Sequence, residues 1–243
     1  MKHQRTLLLV GLTLLFICLF AFEAWAGPGG KIAKAVFTTF WGKVLLVILV
    51  IIFLPFILYA RLRQYFKVRR TMAALRQLAS HDRNFDWMTL RNRVTDIFTR
   101  THRAWGKEDM GEVSSFSTSW YWQNQQLVHL DRWKEQGLIN KSELRKINSL
   151  TPLFVRHSGQ PQAEDSILVV GIDANQEDYL MQRDSGLIVE GKKGFQDVDT
   201  VWTFRLQKGE WLLDNIEQVD FWATYVRMPN EVPATVLQTN PIR

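Results

Sequence analysis

The sequence predicts an α+β protein in which N-terminal membrane helices precede a domain of helices packed on a curved antiparallel sheet. Three observations predict this order of elements. Two apolar runs lie before residue 61, helical spacing of apolar residues extends from there to residue 147, and short strand-like segments follow Pro152. Helices first and an antiparallel sheet afterwards are typical of the α+β class.

The first apolar run, residues 6–22, has a basic start and is followed by the small-x-small sequence Ala-Trp-Ala. This combination is typical of a secretory signal peptide. Because the run is longer than usual, residues 1–26 are either a signal peptide or a first membrane helix. Residues 27–42, which begin with Gly-Pro-Gly-Gly, are then a short external spacer.

The second apolar run, residues 44–60, contains seventeen consecutive uncharged residues. A helix of this length, with Gly42 and Lys43 in front of it, spans a hydrocarbon core about 30 Å thick. We therefore predict a transmembrane helix over residues 43–60. Five cations follow within ten residues, which favours a cytoplasmic location for everything after the helix. The expected localisation is the bacterial inner membrane, as a single pass or a helical hairpin, with a cytoplasmic domain.

Residues 61–84 are predicted to form a basic juxtamembrane helix and linker. The basic excess of the chain lies in this segment and the one after it, since eleven Lys or Arg lie from Arg61 to Arg103 against three Asp. Anionic headgroups attract each such cation by about 1 kcal/mol, so we expect contact with anionic lipids. The alternative is a positive-inside signal on a solvated helix face. No nucleic-acid-binding motif accompanies the basic stretch, so nucleic acid is not expected as a partner. The predicted membrane-contact residues are Arg61, Arg63, Lys67, Arg69, Arg70 and Arg76.

The soluble part is too rich in aromatic residues for disorder, since the chain has ten Trp and fifteen Phe. Helical spacing begins again after Asp86, which can cap a helix through its carboxylate. Asp109 with Glu112 forms a capping-box pattern for the next helix. The predicted helices cover residues 61–80, 86–105, 109–120, 127–137 and 140–147.

After Pro152 the pattern becomes that of strands, which are short, rich in β-branched or aromatic residues and bounded by turn residues. Residues 184–186 and 208–209 carry hairpin-type turn sequences. Residues 229–243 contain three prolines and little periodicity, so they are expected to be a flexible tail. The predicted strands cover residues 153–157, 166–172, 179–183, 198–206 and 210–217.

Several short motifs follow one another in this part of the chain. They are KED at residues 107–109, just after Trp105, DY at 178–179, DSG at 184–186, VEG at 189–191, WTFR at 202–205 and WLLDNI at 211–216. Their order resembles that of the Tim44-like domain family, whose bacterial members include membrane-anchored relatives of a mitochondrial import-motor subunit. The resemblance covers roughly residues 85–222, and the domain is predicted over residues 85–228.

The resemblance implies a fold similar to nuclear transport factor two, in which a cone of helices lies on a bent sheet around an apolar pocket. The mitochondrial member docks the import chaperone at the translocon and binds cardiolipin-rich surfaces. We find no long charged N-terminal region of the kind by which that protein meets its translocon. We therefore expect the membrane-facing domain, but not the import role, to carry over.

Motifs for chemistry point away from catalysis. The histidines are far apart, no pair has metal-ligand spacing, and the glycine-rich stretch near residue 28 lacks the spacing of a phosphate loop. The only cysteine, Cys18, lies in the first apolar run. We expect no enzyme activity, no metal and no cofactor. His102 and Asp214 are candidates for a buried acid or base, against the simpler interpretations of a boundary histidine and an edge carboxylate paired with Arg205.

Three consecutive aromatics, Trp120, Tyr121 and Trp122, lie on a predicted helix, where they cannot all face one side. At least one of them must lie at the surface or at a pocket mouth. We predict that Trp122 lies at the pocket rim or meets the headgroup region, with helix-end packing as the alternative. The predicted pocket or core aromatics are Trp105, Phe116, Trp120, Trp202, Phe204 and Trp211.

Two functions of different classes follow from these observations. The first is a membrane-tethered adaptor that holds an apolar ligand, a lipid or a partner protein, with membrane-protein biogenesis or transport as its setting. The second is a non-catalytic assembly subunit of a membrane-spanning secretion complex, whose similar domain would be periplasmic. The arginines after residue 60 argue against a periplasmic domain. A small-molecule enzyme is a weaker third option, and a homo-oligomer is open in each case.

Overall fold

A computed structural model of the chain describes residues 39–218 and 221–237. Residues 1–26, predicted as a signal peptide or first membrane helix, lie outside the described residues, as does most of the spacer over residues 27–42. The chain divides into two compact units, residues 1–63 and residues 64–243.

Helix α1 (Phe40–Ala79) begins in the first unit and ends in the second. By length and composition it is able to cross a membrane, and its most apolar window has no residue buried inside the protein. Pro55 lies inside the helix without ending it. Helix α1 is therefore a candidate membrane span, and the predicted transmembrane segment over residues 43–60 lies within it.

Helix α2 (Trp87–Lys107) starts where the sequence predicts. The Asp86 carboxylate Oδ2 accepts hydrogen bonds from the Thr89 backbone N–H and hydroxyl, both at 2.8 Å. The helix ends at Glu108, whose φ of 60° is left-handed. Its buried residues recur at the expected three- and four-residue spacing: Leu90, Val94, Ile97, Phe98, Thr101 and Ala104.

The helix predicted to begin at Asp109 begins ten residues later. The Asp109 carboxylate caps only a short 3₁₀ turn (Met110–Val113). The chain then runs beside a strand, where the Thr118 N–H donates to the Leu213 carbonyl at 2.8 Å. Beyond it, α3 (Ser119–Asn124), a π-helix (Gln125–Asp131) and α4 (Arg132–Glu135) follow one another without a break.

Five strands form one antiparallel sheet in the order β1-β2-β4-β5, with β3 also paired to β2. Three irregularities interrupt the β1–β2 register, and such bulges bend a strand. The strands are β1 (Leu138–Arg156), β2 (Ile167–Gln182), β3 (Ile188–Gly191), β4 (Gln196–Gln207) and β5 (Glu210–Gln218).

The helix predicted over residues 140–147 is wrong, because these residues belong to β1. Leu144, Ile147 and Leu150 all pack against the main core although they are three residues apart. They pair with Gln176, Ala174 and Ile172, which are two residues apart, and the bulges of β1 absorb the difference. The bulges thus give a strand the three-residue spacing that is typical of a helix.

Other strands are longer than predicted. The separate strands expected over residues 166–172 and 179–183 form a single strand, β2, because the segment between them pairs with β1 throughout and with β4 as far as Gln176. The predicted turns are confirmed: Gly186 has a φ of 70°, while Lys208 and Gly209 have φ values of 53° and 78°.

The second unit has hydrophobic clusters on both faces of its sheet. The main cluster lies between the helices and one face, as the predicted α+β fold requires. A smaller cluster lies on the opposite face and is covered by helix α5 (Trp222–Arg227) and Met228. In the described part of the segment expected to be a flexible tail, Glu231 is hydrogen-bonded to β1, and a helical turn, α6 (Ala234–Leu237), follows. Residues 238–243 lie outside the described residues.

Candidate functional site

Four of the six predicted pocket or core aromatics lie in the main core of the second unit, and Trp105 packs against it. Phe116, Trp202, Phe204 and Trp211 are each at most 4% exposed. The Trp202 ring lies 4.7 Å from that of Phe98 on α2. These side chains therefore occupy the space between helix and sheet in which the family resemblance implied an apolar pocket.

The three aromatics of α3 differ in exposure. Tyr121 is buried, Trp122 is half-buried against the main core, and Trp120 is 62% exposed. The cap at Thr118, whose hydroxyl accepts the Tyr121 N–H, starts the helix at Ser119 and turns Tyr121 inward. Trp120 is therefore the most exposed ring of the triplet, and the rim position of Trp122 stays a prediction.

Trp120 forms one wall of a surface groove of about 540 Å³, named here the Trp120 groove. Its floor carries the predicted pair of Arg205 and Asp214, whose Nη2 and Oδ2 atoms are 3.0 Å apart. The hydrogen bond to Asp214 raises the pKa of the Arg205 guanidinium above its ordinary value. The lining residues are Thr118, Ser119, Trp120, Arg205, Gln207, Asp214 and Asn215.

A second groove, of about 530 Å³, lies at the end of β1 and is named here the edge groove. His157 lines it and stacks on Phe85 with ring centroids 5.4 Å apart. Burial lowers the pKa of His157, which favours its neutral form. The lining residues are Arg156, His157, Ser158, Gln160, Asp165, Glu231, Val232 and Pro233.

His102 lines neither groove. Its Nδ1 lies 2.9 Å from the Ser142 hydroxyl of β1, and its ring packs against those of Phe98 and Trp202. Burial lowers its pKa to about 4, so the imidazole is neutral near pH 7. The arrangement ties α2 to β1 with an uncharged polar contact.

Five of the six predicted membrane-contact residues are exposed, namely Arg61, Arg63, Arg69, Arg70 and Arg76. Lys67, the sixth, is only 6% exposed and lies inside the domain. Its ammonium Nζ donates to the Met228 carbonyl at 2.5 Å and to Asn230 Oδ1 at 3.0 Å. Burial, assisted by the charge of Arg70, lowers the pKa of Lys67 to about 8.

Sequence reasoning missed two exposed aromatics among these arginines. Tyr65 and Phe66 are 55% and 53% exposed in the second unit. The Arg69 guanidinium lies over the Tyr65 ring at 5.7 Å and donates to its hydroxyl at 3.3 Å. Interleaved arginines and aromatics immediately after an apolar run were the available signal, because both are favoured at a membrane interface.

These features define a helix able to cross a membrane, followed by an α+β domain with a basic, aromatic surface and two open grooves. Among the residues that the structure describes, no three His, Cys, Asp or Glu side chains are placed to hold a metal ion. A family model of the Tim44-like domain matches residues 71–218. The chain belongs to the Tim44-like domain family, and the resemblance drawn from its motifs is confirmed.

One solved structure with a related chain course is the crystal structure of the intermembrane space region of the chloroplast protein ARC6. The two sequences are 12% identical and the TM-score is 0.39. The similarity covers 55% of this chain and 95% of that chain. No curated protein matches the sequence.

Proposed function

We propose that this protein is a membrane-tethered adaptor whose Tim44-like domain binds a partner at the cytoplasmic face of the inner membrane. One observation carries the proposal. Helix α1 contains both an apolar segment able to cross a membrane and a surface rich in exposed arginines, and the family match begins within the same helix.

Family membership supports a binding role rather than catalysis, since Tim44-like domains generally bind membranes and protein partners. The neutral, buried His102 fits this proposal, because its hydrogen bond goes to Ser142 rather than into a groove. The Arg205–Asp214 ion pair fits it as well, because the Asp214 carboxylate is already engaged by a guanidinium at 3.0 Å.

The lipid part of the proposal rests on the exposed residues of α1 in the second unit. Arg69, Arg70 and Arg76 are free to meet anionic headgroups, at about 1 kcal/mol for each cation. Tyr65 and Phe66 add aromatic rings of the kind favoured at headgroup level. Lys67 takes no part in this contact, because its ammonium is bonded within the domain.

The protein partner is proposed to bind at the surface rather than inside the domain. The core aromatics fill the space beneath the helices, whereas the Trp120 groove and the edge groove are open. Exposed aromatic rings such as Trp120 are common anchors of protein interfaces. An adaptor at the cytoplasmic face of the inner membrane is placed to act in membrane-protein biogenesis or transport.

The side of the membrane on which the domain lies tests the proposal directly. Fusions of alkaline phosphatase and of a fluorescent protein to the C-terminus, expressed in a bacterial host, report the two compartments with opposite signals. We expect fluorescence without phosphatase activity. Phosphatase activity would overturn the cytoplasmic adaptor and favour the alternative, a non-catalytic assembly subunit of a membrane-spanning secretion complex.

A further inference from the structure

Residues 221–233 are named here the strap. Its first part, up to Met228, covers the face of the sheet that is opposite the main core, whereas Val232 near its end packs against the main core. Trp222, Tyr225 and Met228 are the strap residues that pack on that opposite face. The apolar side chains beneath them are at most 8% exposed: Leu153, Phe154, Ile167, Val169 and Val201. No residue of α5 is itself buried. The strap therefore hides an apolar face while remaining half-exposed.

Trp222 occupies a notch that a glycine creates. A Cβ atom placed on Gly171 of β2 would lie 2.1 Å from a carbon of the Trp222 ring. The ring therefore rests directly on the strand backbone, where any larger residue would push it away. Three residues further along the strap, the Tyr225 hydroxyl donates to Glu217 Oε2 at 2.9 Å.

Beyond α5, the strap adds a short piece of strand to the free edge of β1. The His157 N–H donates to the Glu231 carbonyl at 2.8 Å, and the Glu231 N–H donates to the Val155 carbonyl at 3.0 Å. The two segments are parallel at this bridge. Pairing of an extended segment with a sheet edge is a common mode of peptide recognition.

Asn230 joins the strap to helix α1. Its Oδ1 accepts from Lys67 Nζ at 3.0 Å, from the Thr71 hydroxyl at 3.2 Å and from the Val155 N–H at 3.2 Å. The acceptors of the Lys67 ammonium are thus an amide oxygen and a carbonyl, both neutral. Such a cation is held less firmly than one paired with a carboxylate.

The strap also lies beyond the family domain, whose match ends at residue 218. An added segment that is half-exposed, meets the Lys67 ammonium only through neutral oxygens and is seated in a glycine notch resembles a bound peptide more than a core element. We propose that the strap occupies, within its own chain, the docking surface of a protein partner. The partner displaces it with a segment of the same chemistry: a short amphipathic turn carrying a large aromatic ring, then an extended residue that pairs with β1. This inference rests on the proposed adaptor function.

The test uses the full chain in nanodiscs and a fluorescent synthetic peptide with the sequence of residues 221–233. The chain variants are Trp222→Ala, which empties the notch, and Phe221→Ala, a control at an adjacent aromatic that is 47% exposed. Because a tethered segment competes at a high effective concentration, we expect the peptide to bind the Trp222→Ala chain at least about ten-fold more tightly than the other two chains. A peptide that itself carries Trp222→Ala should not bind.

Hydrogen exchange on the same samples separates strap opening from unfolding. In the Trp222→Ala chain the amides of His157 and Glu231 should exchange faster, because they form the bridge between strap and sheet. The amide of Leu206, which donates to the Ser166 carbonyl within the domain, should be unchanged. A second chain variant, Glu231→Pro, removes one bridge donor without touching the notch and should also gain peptide binding.

Three results would overturn the proposal. They are equal peptide binding by all chains, faster exchange at Leu206 together with His157, and strap opening caused by anionic vesicles without any peptide binding. The last result would assign the surface to lipid instead of protein. Failure of the adaptor function itself has a separate signature, a periplasmic C-terminus, which would leave the peptide measurements unaffected.

Discussion

Replacing Arg69, Arg70 and Arg76 by Gln should release the second unit from anionic membranes. All three guanidiniums are exposed on α1. Each cation contributes about 1 kcal/mol to membrane binding. The triple variant should therefore lose about 3 kcal/mol of binding free energy, which is roughly a 100-fold decrease in the membrane partition coefficient. The loss should shrink at high salt, because screening weakens the attraction of the unmodified domain.

The structure supplies two control variants, one matched in charge and one at a buried lysine. Arg91, Arg103 and Lys134 are equally exposed cations on other helices, so their replacement by Gln changes net charge by the same amount elsewhere. That control variant should keep most of its affinity. Lys67→Gln should likewise leave vesicle binding unchanged, because the Lys67 ammonium is bonded inside the domain.

The assay is co-sedimentation of residues 64–243 with vesicles of phosphatidylcholine, with and without phosphatidylglycerol, over a series of salt concentrations. Circular dichroism on each variant checks that the fold is retained. The reasoning would be refuted if the control variant lost as much affinity as the α1 variant. Salt-independent binding of the unmodified domain would refute it equally.

Three further predictions concern the fold and the neutral core, each read from urea unfolding of residues 64–243. Asp86→Ala should lower the free energy of unfolding by about 1 kcal/mol, because the α2 cap is lost. Asp96→Ala, which removes an exposed ion pair, should lower it by less. Equal costs would contradict the capping role. His102 has a pKa of about 4 in the folded state, so stability should fall by up to about 3 kcal/mol between pH 6.5 and pH 4, where only the unfolded state binds the proton. His102→Gln should flatten that part of the pH profile, and an unchanged profile would assign it to other groups. Trp202→Ala should lower the free energy of unfolding by about 3–5 kcal/mol, because Trp202 is buried. Trp120→Ala should change it by less than about 0.5 kcal/mol, because Trp120 is exposed. Similar losses in the two variants would contradict these placements.

The parts of the fold that local patterns encode could be predicted. Helix α2 was predictable because its apolar residues recur with the period of a helix and its capping residue precedes them directly. The turns at residues 184–186 and 208–209 were predictable because glycine tolerates the positive φ that they need. The family was recognisable from the order of aromatic and acidic motifs around those turns.

The first half of β1 could not be predicted for an equally physical reason. Its bulges space inward-facing residues by three positions, and single-sequence periodicity cannot distinguish that spacing from a helix. The sequence also could not predict which of Trp120 and Trp122 is the more exposed ring. It depends on where α3 starts, and the pairing of residues 116–118 with β5 delays that start.

By itself, the sequence determined an apolar segment long enough to span a membrane, a basic flank and the class of the domain that follows. Each of these depends on neighbouring residues along the chain. Only the tertiary structure showed that Lys67 leaves the basic flank to bond Met228 and Asn230, which are 161 and 163 residues away. The same holds for the glycine notch beneath Trp222. The physical reason is that burial of a charge or a ring depends on which distant segments share its space, and local propensity does not encode that.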